Sequence, residues 1–230
     1  MQDRLARIRT LIGPTDLEKI RHGKVMVVGC GAVGSFAVEA LARSGVGHLA
    51  LVDFDVVEAS NINRQLIALS STLGIKKVNA AKTRVLDISP EIKVDTFDVF
   101  VDEQNVDNLL DWAPDFVIDA IDSLESKVVL IEKLLARKIP FISSMGAARR
   151  EKTNAVCVSK MNKTHTCPMA SAMRQKLRKK DISLDFSCVY STEEPIALEN
   201  GVLGSMVTVT GIFGLTLAHE ALNFLRKKEK

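Results

Sequence analysis

No C-x-x-C pair occurs among the four cysteines of this chain, Cys30, Cys157, Cys167 and Cys188, and no histidine stands at metal-ligand spacing from them. A structural zinc is therefore not expected, and free thiols are the default of a reducing, cytoplasmic compartment. Low-complexity stretches are also missing. With 47% hydrophobic and 26% charged residues over 230 positions, the chain is long enough for a substantial core, which excludes extended disorder. No linker rich in Pro, Gly or Ser divides it, so a single domain is expected over 1–230. The opening MQDRLARIRTLIG has no continuous apolar run of signal-peptide length, and nothing in it directs export. The net charge of +3 is too small to imply a polyanionic partner by itself; only the distribution of charge could.

Clusters of charge are present. Arg149, Arg150 and Lys152 form one, Arg174, Lys176, Arg178, Lys179 and Lys180 a denser one, and Arg226, Lys227, Lys228 and Lys230 a third. A solvated face explains any one of them. The segment Gly201 to Ala218 carries no charge over 18 residues, at the lower edge of a membrane span. A buried strand or helix of the core is the expected reading, and peripheral membrane association stays open beside it.

Along the chain, Lys24 to Gly29 is a β-branched run ending at glycine, and Ser35 to Arg43 has helical spacing closed by Ser44-Gly45. Strand, glycine turn and helix follow in that order. Strands are predicted again at His48–Val52, Lys93–Phe100, Phe116–Asp119 and Pro140–Ser144, with helices at Lys77–Leu86 and Ser126–Arg137 between them. This alternation implies parallel βαβ units and a doubly wound, Rossmann-like α/β sheet. After Met145 the alternation weakens: strands are expected at Ala155–Val158 and Phe186–Tyr190, flanking a basic amphipathic helix over Ala170–Lys179. The C-terminal part thus reads as a mixed extension of the same sheet.

Gly29-Cys30-Gly31-Ala32-Val33-Gly34 is a G-x-G-x-x-G turn between strand and helix, the setting in which backbone N–H groups at a helix N-terminus receive phosphate. It does not separate NAD from FAD or ATP. Asp53, 19 residues beyond Gly34 at a strand end, suits ribose hydroxyls in any of them. Asp55 could approach a metal or structural donors, or cap a turn. The discriminating stretch is Ser60-Asn61-Ile62-Asn63-Arg64-Gln65 with Lys76-Lys77 at a helix start. Neutral and cationic donors in that number suit a triphosphate better than a nicotinamide. In VIDAIDS, Asp119 ends a buried strand and reads as a structural acceptor. Asp122, in the loop beyond, reads as a metal or catalytic carboxylate at the edge where ligands bind.

GCGAVG, VDFD, SNINRQ, GIKKV and VIDAIDS, in this order and spacing, resemble the adenylating domain of the ubiquitin-activating superfamily, with its ThiF, MoeB and HesA types. The resemblance implies one adenylating domain: an N-terminal helical segment (1–24), a nucleotide-binding core (25–145) and an acceptor-facing extension (146–230). It implies ATP and Mg²⁺ as cofactors and a homodimer, with Arg7 or Arg9 reaching a partner subunit. It also implies that Asp53 takes the ribose, that Asn61 and Arg64 approach the phosphates, and that Lys77 neutralises them. Gly29, Gly31, Ala32, Gly34, Asp55, Asn63, Gln65 and Ser123 complete the expected nucleotide site, and Asp122 is expected to position Mg²⁺ and the reacting carboxylate. IDAIDS, the stretch Thr153 to Lys179 and Cys188-Val189-Tyr190-Ser191-Thr192-Glu193 are similar to the tRNA threonylcarbamoyladenosine dehydratase branch. That branch implies adenylylation of the threonyl carboxylate on tRNA, followed by cyclisation. The alternative is activation of the C-terminal Gly-Gly of a small ubiquitin-like sulfur carrier, whose bacterial enzymes usually carry two C-x-x-C pairs. A sulfur-transfer protein is a possible partner by the same resemblance, and DNA is not an expected one. Cys188 is a candidate thiol because thioester-forming relatives use a cysteine beyond the nucleotide site; Cys167 reads as incidental.

Overall fold

The run Lys24–Val28 forms β1, buried on both faces from Val25 onward, as continuous apolar character requires of a central strand. The computed structural model describes residues 3–197 and 203–228. Two short helices, α1 (Ala6–Ile12) and α2 (Pro14–His22), precede β1. They are followed by α3 (Gly34–Arg43), β2 (His48–Val52), α4 (Lys77–Ile88), β3 (Lys93–Phe97), α5 (Val106–Leu110), β4 (Phe116–Asp119), α6 (Leu124–Ala136) and β5 (Phe141–Ser144). Then come β6 (Val156–Lys160), α7 (Pro168–Lys179), β7 (Ser187–Ser191) and α8 (Val207–Lys227). The predicted elements are all present, with ends moved by a few residues, as in β3, which stops at Phe97 and not Phe100.

The strands form one seven-stranded sheet in the order β3-β2-β1-β4-β5-β7-β6. All neighbours are parallel except β6, which runs antiparallel to β7. The C-terminal part is therefore an extension of the same sheet. The chain leaves β1 toward β2 and β3 on one side and returns to β4 on the other, so strand order reverses between β1 and β4. In an open α/β sheet that reversal opens a crevice at the carboxyl ends of the two strands. One face is covered by α3, α4 and α8, the other by α5 and α6.

Of the uncharged C-terminal segment, residues 207–218 belong to the core helix α8, 203–206 lead into it outside any helix or strand, and Gly201 and Val202 lie outside the described residues. In α8, Val209, Phe213, Leu217, Ala218 and Ala221 are fully buried, and no helix among the described residues is long and apolar enough to cross a membrane. Two of its glycines have a packing reason. A Cβ on Gly214 would stand 2.2 Å from Val33 O and 2.8 Å from Phe36 Cβ, and one on Gly211 would stand 3.3 Å from the Phe36 ring. The bare backbone lets α8 lie on the start of α3, directly behind the glycine turn. Because the obstacle at Gly214 is a carbonyl oxygen, Gly214→Ala should destabilise the protein by about 1–3 kcal/mol through overpacking. Urea unfolding would show this as a lower midpoint at unchanged slope.

Candidate active site

The glycine turn is built by three different constraints. Gly29 has φ +93°, and a Cβ there would lie 2.6 Å from Ala120 O; a Cβ on Gly34 would lie 1.7 Å from Gly29 O. Those two glycines are therefore demanded by the fold. Gly31 is not: its φ is negative, and a Cβ there would meet nothing nearer than Gln65 Nε2 at 3.7 Å. The space in front of Gly31 is thus open to whatever approaches the turn, which is how a phosphate-binding glycine differs from a packing one. Ala32, beside it, is partly exposed.

Asp53 is locked beside this turn. Its Oδ2 accepts the Cys30 N–H at 2.7 Å and its Oδ1 accepts the Asp55 N–H at 2.9 Å. Burial pushes its carboxyl above the ordinary carboxylate range, opposed by those two N–H groups and by the Lys77 charge. The loop after β2 then returns on itself: Val56 bridges to Lys76, and the Lys77 N–H donates to Asp55 O at 3.0 Å. This return brings Lys77, only 6% exposed, to 2.6 Å from Asp55 Oδ2. Asp55 is accordingly the counterion of Lys77, one of the structural roles left open for it.

The SNINRQ stretch docks on α3 through Ser35, whose buried hydroxyl accepts the Leu66 N–H at 3.1 Å. Asn61 and Asn63 support the loop. Asn61 Oδ1 accepts the Glu58 N–H at 3.1 Å, closing a short 3₁₀ turn, and Asn63 Oδ1 accepts from Arg64 Nη1 at 3.0 Å. Arg64 Nη1 also donates to Ser60 O at 2.8 Å, leaving its other guanidinium donors uncommitted among the described residues. Gln65 is 7% exposed and lies against Gly31, with its Oε1 unpartnered among the described residues. The unpartnered oxygen is an acceptor and cannot bond a phosphate; the Nε2 donor is the end of the amide that lies toward the open glycine.

From the other side of the crevice, β4 ends at Asp119 and the loop Ala120–Ser123 leads into α6. Asp122 is exposed, and its carboxylate makes no hydrogen bond among the described residues. Ser123 caps α6 through its backbone, its carbonyl accepting the Lys127 N–H at 3.0 Å. Asp119 is the structural acceptor expected of it: fully buried, it pairs with Lys127 at 2.7 Å. Neither Lys127 nor Ser35 is among the residues singled out from the sequence. Lys127 carries a legible signal, because it shares a helical stripe with the buried Ile131 and Leu134, where a charge is costly without a partner.

The thiols fall outside the crevice chemistry. Cys188 is buried in β7, and burial pushes its pKa up to about 12, so at neutral pH it is a protonated thiol and a poor nucleophile. Cys167 is also buried, packing near Gly146, where a Cβ would lie 3.6 Å from its Sγ.

The basic clusters are partly spent. On α7, Lys176 pairs with Glu125, Lys180 pairs with Glu132 at 2.6 Å, and Arg174 donates to Thr164. Arg178 and Lys179 remain exposed with no ion pair among the described residues. Arg149 Nε donates to Ile196 O at 2.5 Å and Arg150 is buried. At the N-terminus, α1 buries no side chain and Leu11 is 84% exposed. Arg9 pairs with Asp3, whereas Arg7 is exposed and unpaired among the described residues.

Comparison with known proteins places this geometry in a wider set. The ThiF family profile matches residues 3–230. The tRNA threonylcarbamoyladenosine dehydratase of Bacillus subtilis is 43% identical over 202 residues, covering 88% of this chain and 80% of that protein. The Haemophilus influenzae protein of the same name is 33% identical, covering 99% and 95%. The crystal structure of the Escherichia coli tRNA N6-threonylcarbamoyladenosine dehydratase in complex with ATP superposes with a TM-score of 0.92 at 33% identity, covering 96% of this chain and 93% of that one.

Proposed function

The chain belongs to the ThiF family, and from that premise we propose that it acts as an ATP-dependent tRNA threonylcarbamoyladenosine dehydratase. It adenylylates the threonyl carboxylate of the modified adenosine, and an intramolecular nucleophile then displaces AMP and closes the ring. The observation that carries the chemistry is the meeting, at one topological crevice, of an open phosphate turn and a free carboxylate. The likeness to relatives of that name over most of the chain carries the acceptor.

On this reading Asp53 holds the ribose, and the turn from Gly29 to Gly34, with Ala32 and Gln65, holds the phosphates. Arg64 and Lys77 oppose the charge that develops on them as the carboxylate attacks, while Asn61 and Asn63 keep Arg64 in place and Asp55 keeps Lys77. Asp122 and Ser123 face the incoming carboxylate. Once the acyl adenylate exists, ring closure needs the protein mainly to hold the nucleophile near, since an intramolecular attack has a high effective concentration. The donor set fits Mg²⁺: a single exposed carboxylate suits an ion that arrives with the phosphates and keeps most of its waters. Asp122 would hold it, and when bound it supplies further neutralisation of phosphate charge. No thioester is required, in keeping with the protonated state of Cys188.

The protein works in the cytoplasm as a homodimer in this reading. Arg7 is the arginine that reaches the partner's site, because it is exposed and unpaired among the described residues whereas Arg9 is paired with Asp3. Mixing Arg7→Ala with Asp122→Ala, each inactive alone, should restore about a quarter of wild-type activity, since mixed dimers regain one complete site. Failure to recover above either variant alone would place the arginine within its own subunit.

On α7 the free pair Arg178 and Lys179 contacts tRNA phosphates. Reversing both to Glu should raise the KM for tRNA about tenfold and flatten its salt dependence, with pyrophosphate exchange on a saturating short acceptor unchanged. The decisive experiment for the function is AMP release measured with tRNA bearing threonylcarbamoyladenosine, with unmodified tRNA and with a Gly-Gly-ended sulfur-carrier protein. Turnover only with the first is expected; turnover only with the carrier protein would transfer the chain to the sulfur-carrier class.

A further inference from the structure

Beneath the loop that carries Asp122 lies an enclosed ion pair. Lys127 and Asp119 have no exposed side-chain surface, and Nζ stands 2.7 Å from Oδ2. Ser143 Oγ donates to the same Oδ2 at 2.5 Å and lies 3.4 Å from Nζ. The other oxygen, Oδ1, accepts the Ile121 N–H at 3.1 Å. Ala120 N–H is bound by Val28 O at 2.8 Å, and Ser123 O by the Lys127 N–H at 3.0 Å. Every residue of the loop except Asp122 is thus tied down, and Lys127 ties it twice, by its backbone at Ser123 and by its side chain through Asp119.

Stability does not account for the pair. Two charges withdrawn from water lose hydration that their mutual attraction only partly restores, and an apolar pair of similar volume is often as stable or more so. What an apolar pair could not do is accept the Ile121 N–H and so fix the chain direction one residue before Asp122. Nor could an unpaired Asp119 sit there without adding a second negative charge beneath the site. The pair supplies the acceptor and cancels its own charge.

We infer that Lys127 and Asp119 are positioning residues for adenylylation, acting through the Ile121 N–H to aim the Asp122 carboxylate into the crevice. The inference rests on the reading that Asp122 faces the reacting groups. Misplacing such a group by about 1 Å can cost up to about 100-fold in rate without disturbing binding elsewhere.

The test is the full-length Asp119→Leu/Lys127→Met double variant. It is expected to unfold within a few degrees of wild type and to keep its KM for ATP within about twofold, while kcat for tRNA-dependent AMP release falls about 30-fold. Amide exchange at Ile121 should accelerate while β1 and β4 keep wild-type protection. Asp119→Asn/Lys127→Met, which keeps an acceptor for Ile121, should return kcat to within about threefold of wild type. Wild-type turnover and exchange in the first double variant, or an equal loss in both, overturns the inference. Should the first variant fail to fold, Ser143→Ala decides: kcat about threefold down at unchanged KM supports the inference, and unchanged kcat overturns it. Asp122→Ala is assayed alongside. Wild-type turnover there overturns the reading of Asp122 and the inference with it, whereas loss there with wild-type turnover in the double variant overturns the inference alone.

Discussion

Asp122→Ala is expected to fold normally, to bind ATP almost as wild type does, and to lose adenylylation by roughly 10²–10³-fold. Each part follows from where the residue stands. Its carboxylate is exposed and bonded to nothing among the described residues, so its removal leaves no buried partner orphaned and costs little stability. The loop that carries it is held by Asp119, Val28 and Lys127, none of which the substitution touches. The groups proposed for ribose and phosphate lie across the crevice on β1, β2 and the SNINRQ loop. What disappears is the carboxylate proposed to stand between phosphate and acceptor. ATP affinity by calorimetry and the rate of pyrophosphate exchange with the modified tRNA separate these effects, and a variant keeping more than a tenth of the exchange rate would remove Asp122 from the chemistry.

The second large effect is expected at Lys77, with a different signature. Lys77→Met should lower kcat/KM for ATP by about 10²-fold, with affinity for the triphosphate falling as well as turnover. Lys77 is the cation beside two carboxylates, pairing with Asp55 at 2.6 Å and opposing the raised carboxyl pKa of Asp53. Without it the incoming triphosphate meets the uncompensated charge of buried Asp53, where repulsion is weakly screened, and that of Asp55, whose half-exposed side chain is screened more strongly. Removing the repulsion should therefore recover part of the loss. Lys77→Met/Asp55→Asn is expected to bind a non-hydrolysable ATP analogue about tenfold more tightly than Lys77→Met alone, a coupling that a double-mutant cycle measures. Equal affinity in the two variants would mean that Asp55 only orients Lys77.

The sheet was legible in the sequence because its central strands β1, β2 and β4 are buried on both faces and so appear as short, nearly continuous apolar runs, each stopped by Gly or Asp. The glycine turn, Asp53 and Asp122 were legible because they sit at strand ends, a position that can be read from the strand itself. Contacts across long separations were not. Nothing local to Gly214 announces Val33 O, and Gly211 and Gly214 in an uncharged run left a membrane-edge reading open until α8 was seen packed on α3. Arg174, Lys176 and Lys180 look identical in sequence to the free Arg178 and Lys179, because their partners Thr164, Glu125 and Glu132 come from other elements. Asn61 and Asn63 are expected at the phosphates as donors; the structure adds a second use that sequence does not announce, since their oxygens hold the loop.

The contact between Gly29 and Ala120 has a mechanical consequence. With a Cβ excluded by a carbonyl 2.6 Å away, the glycine turn and the Asp122 loop stand backbone against backbone, and any side chain added at Gly29 would push them apart. The spacing of the two loops at this point is set by the main chain, while the side chains of Asp119 and Lys127 set the chain direction one residue before Asp122. On the proposed function, a change of acceptor would fall on the extension beyond Met145 and leave this backbone contact unaltered.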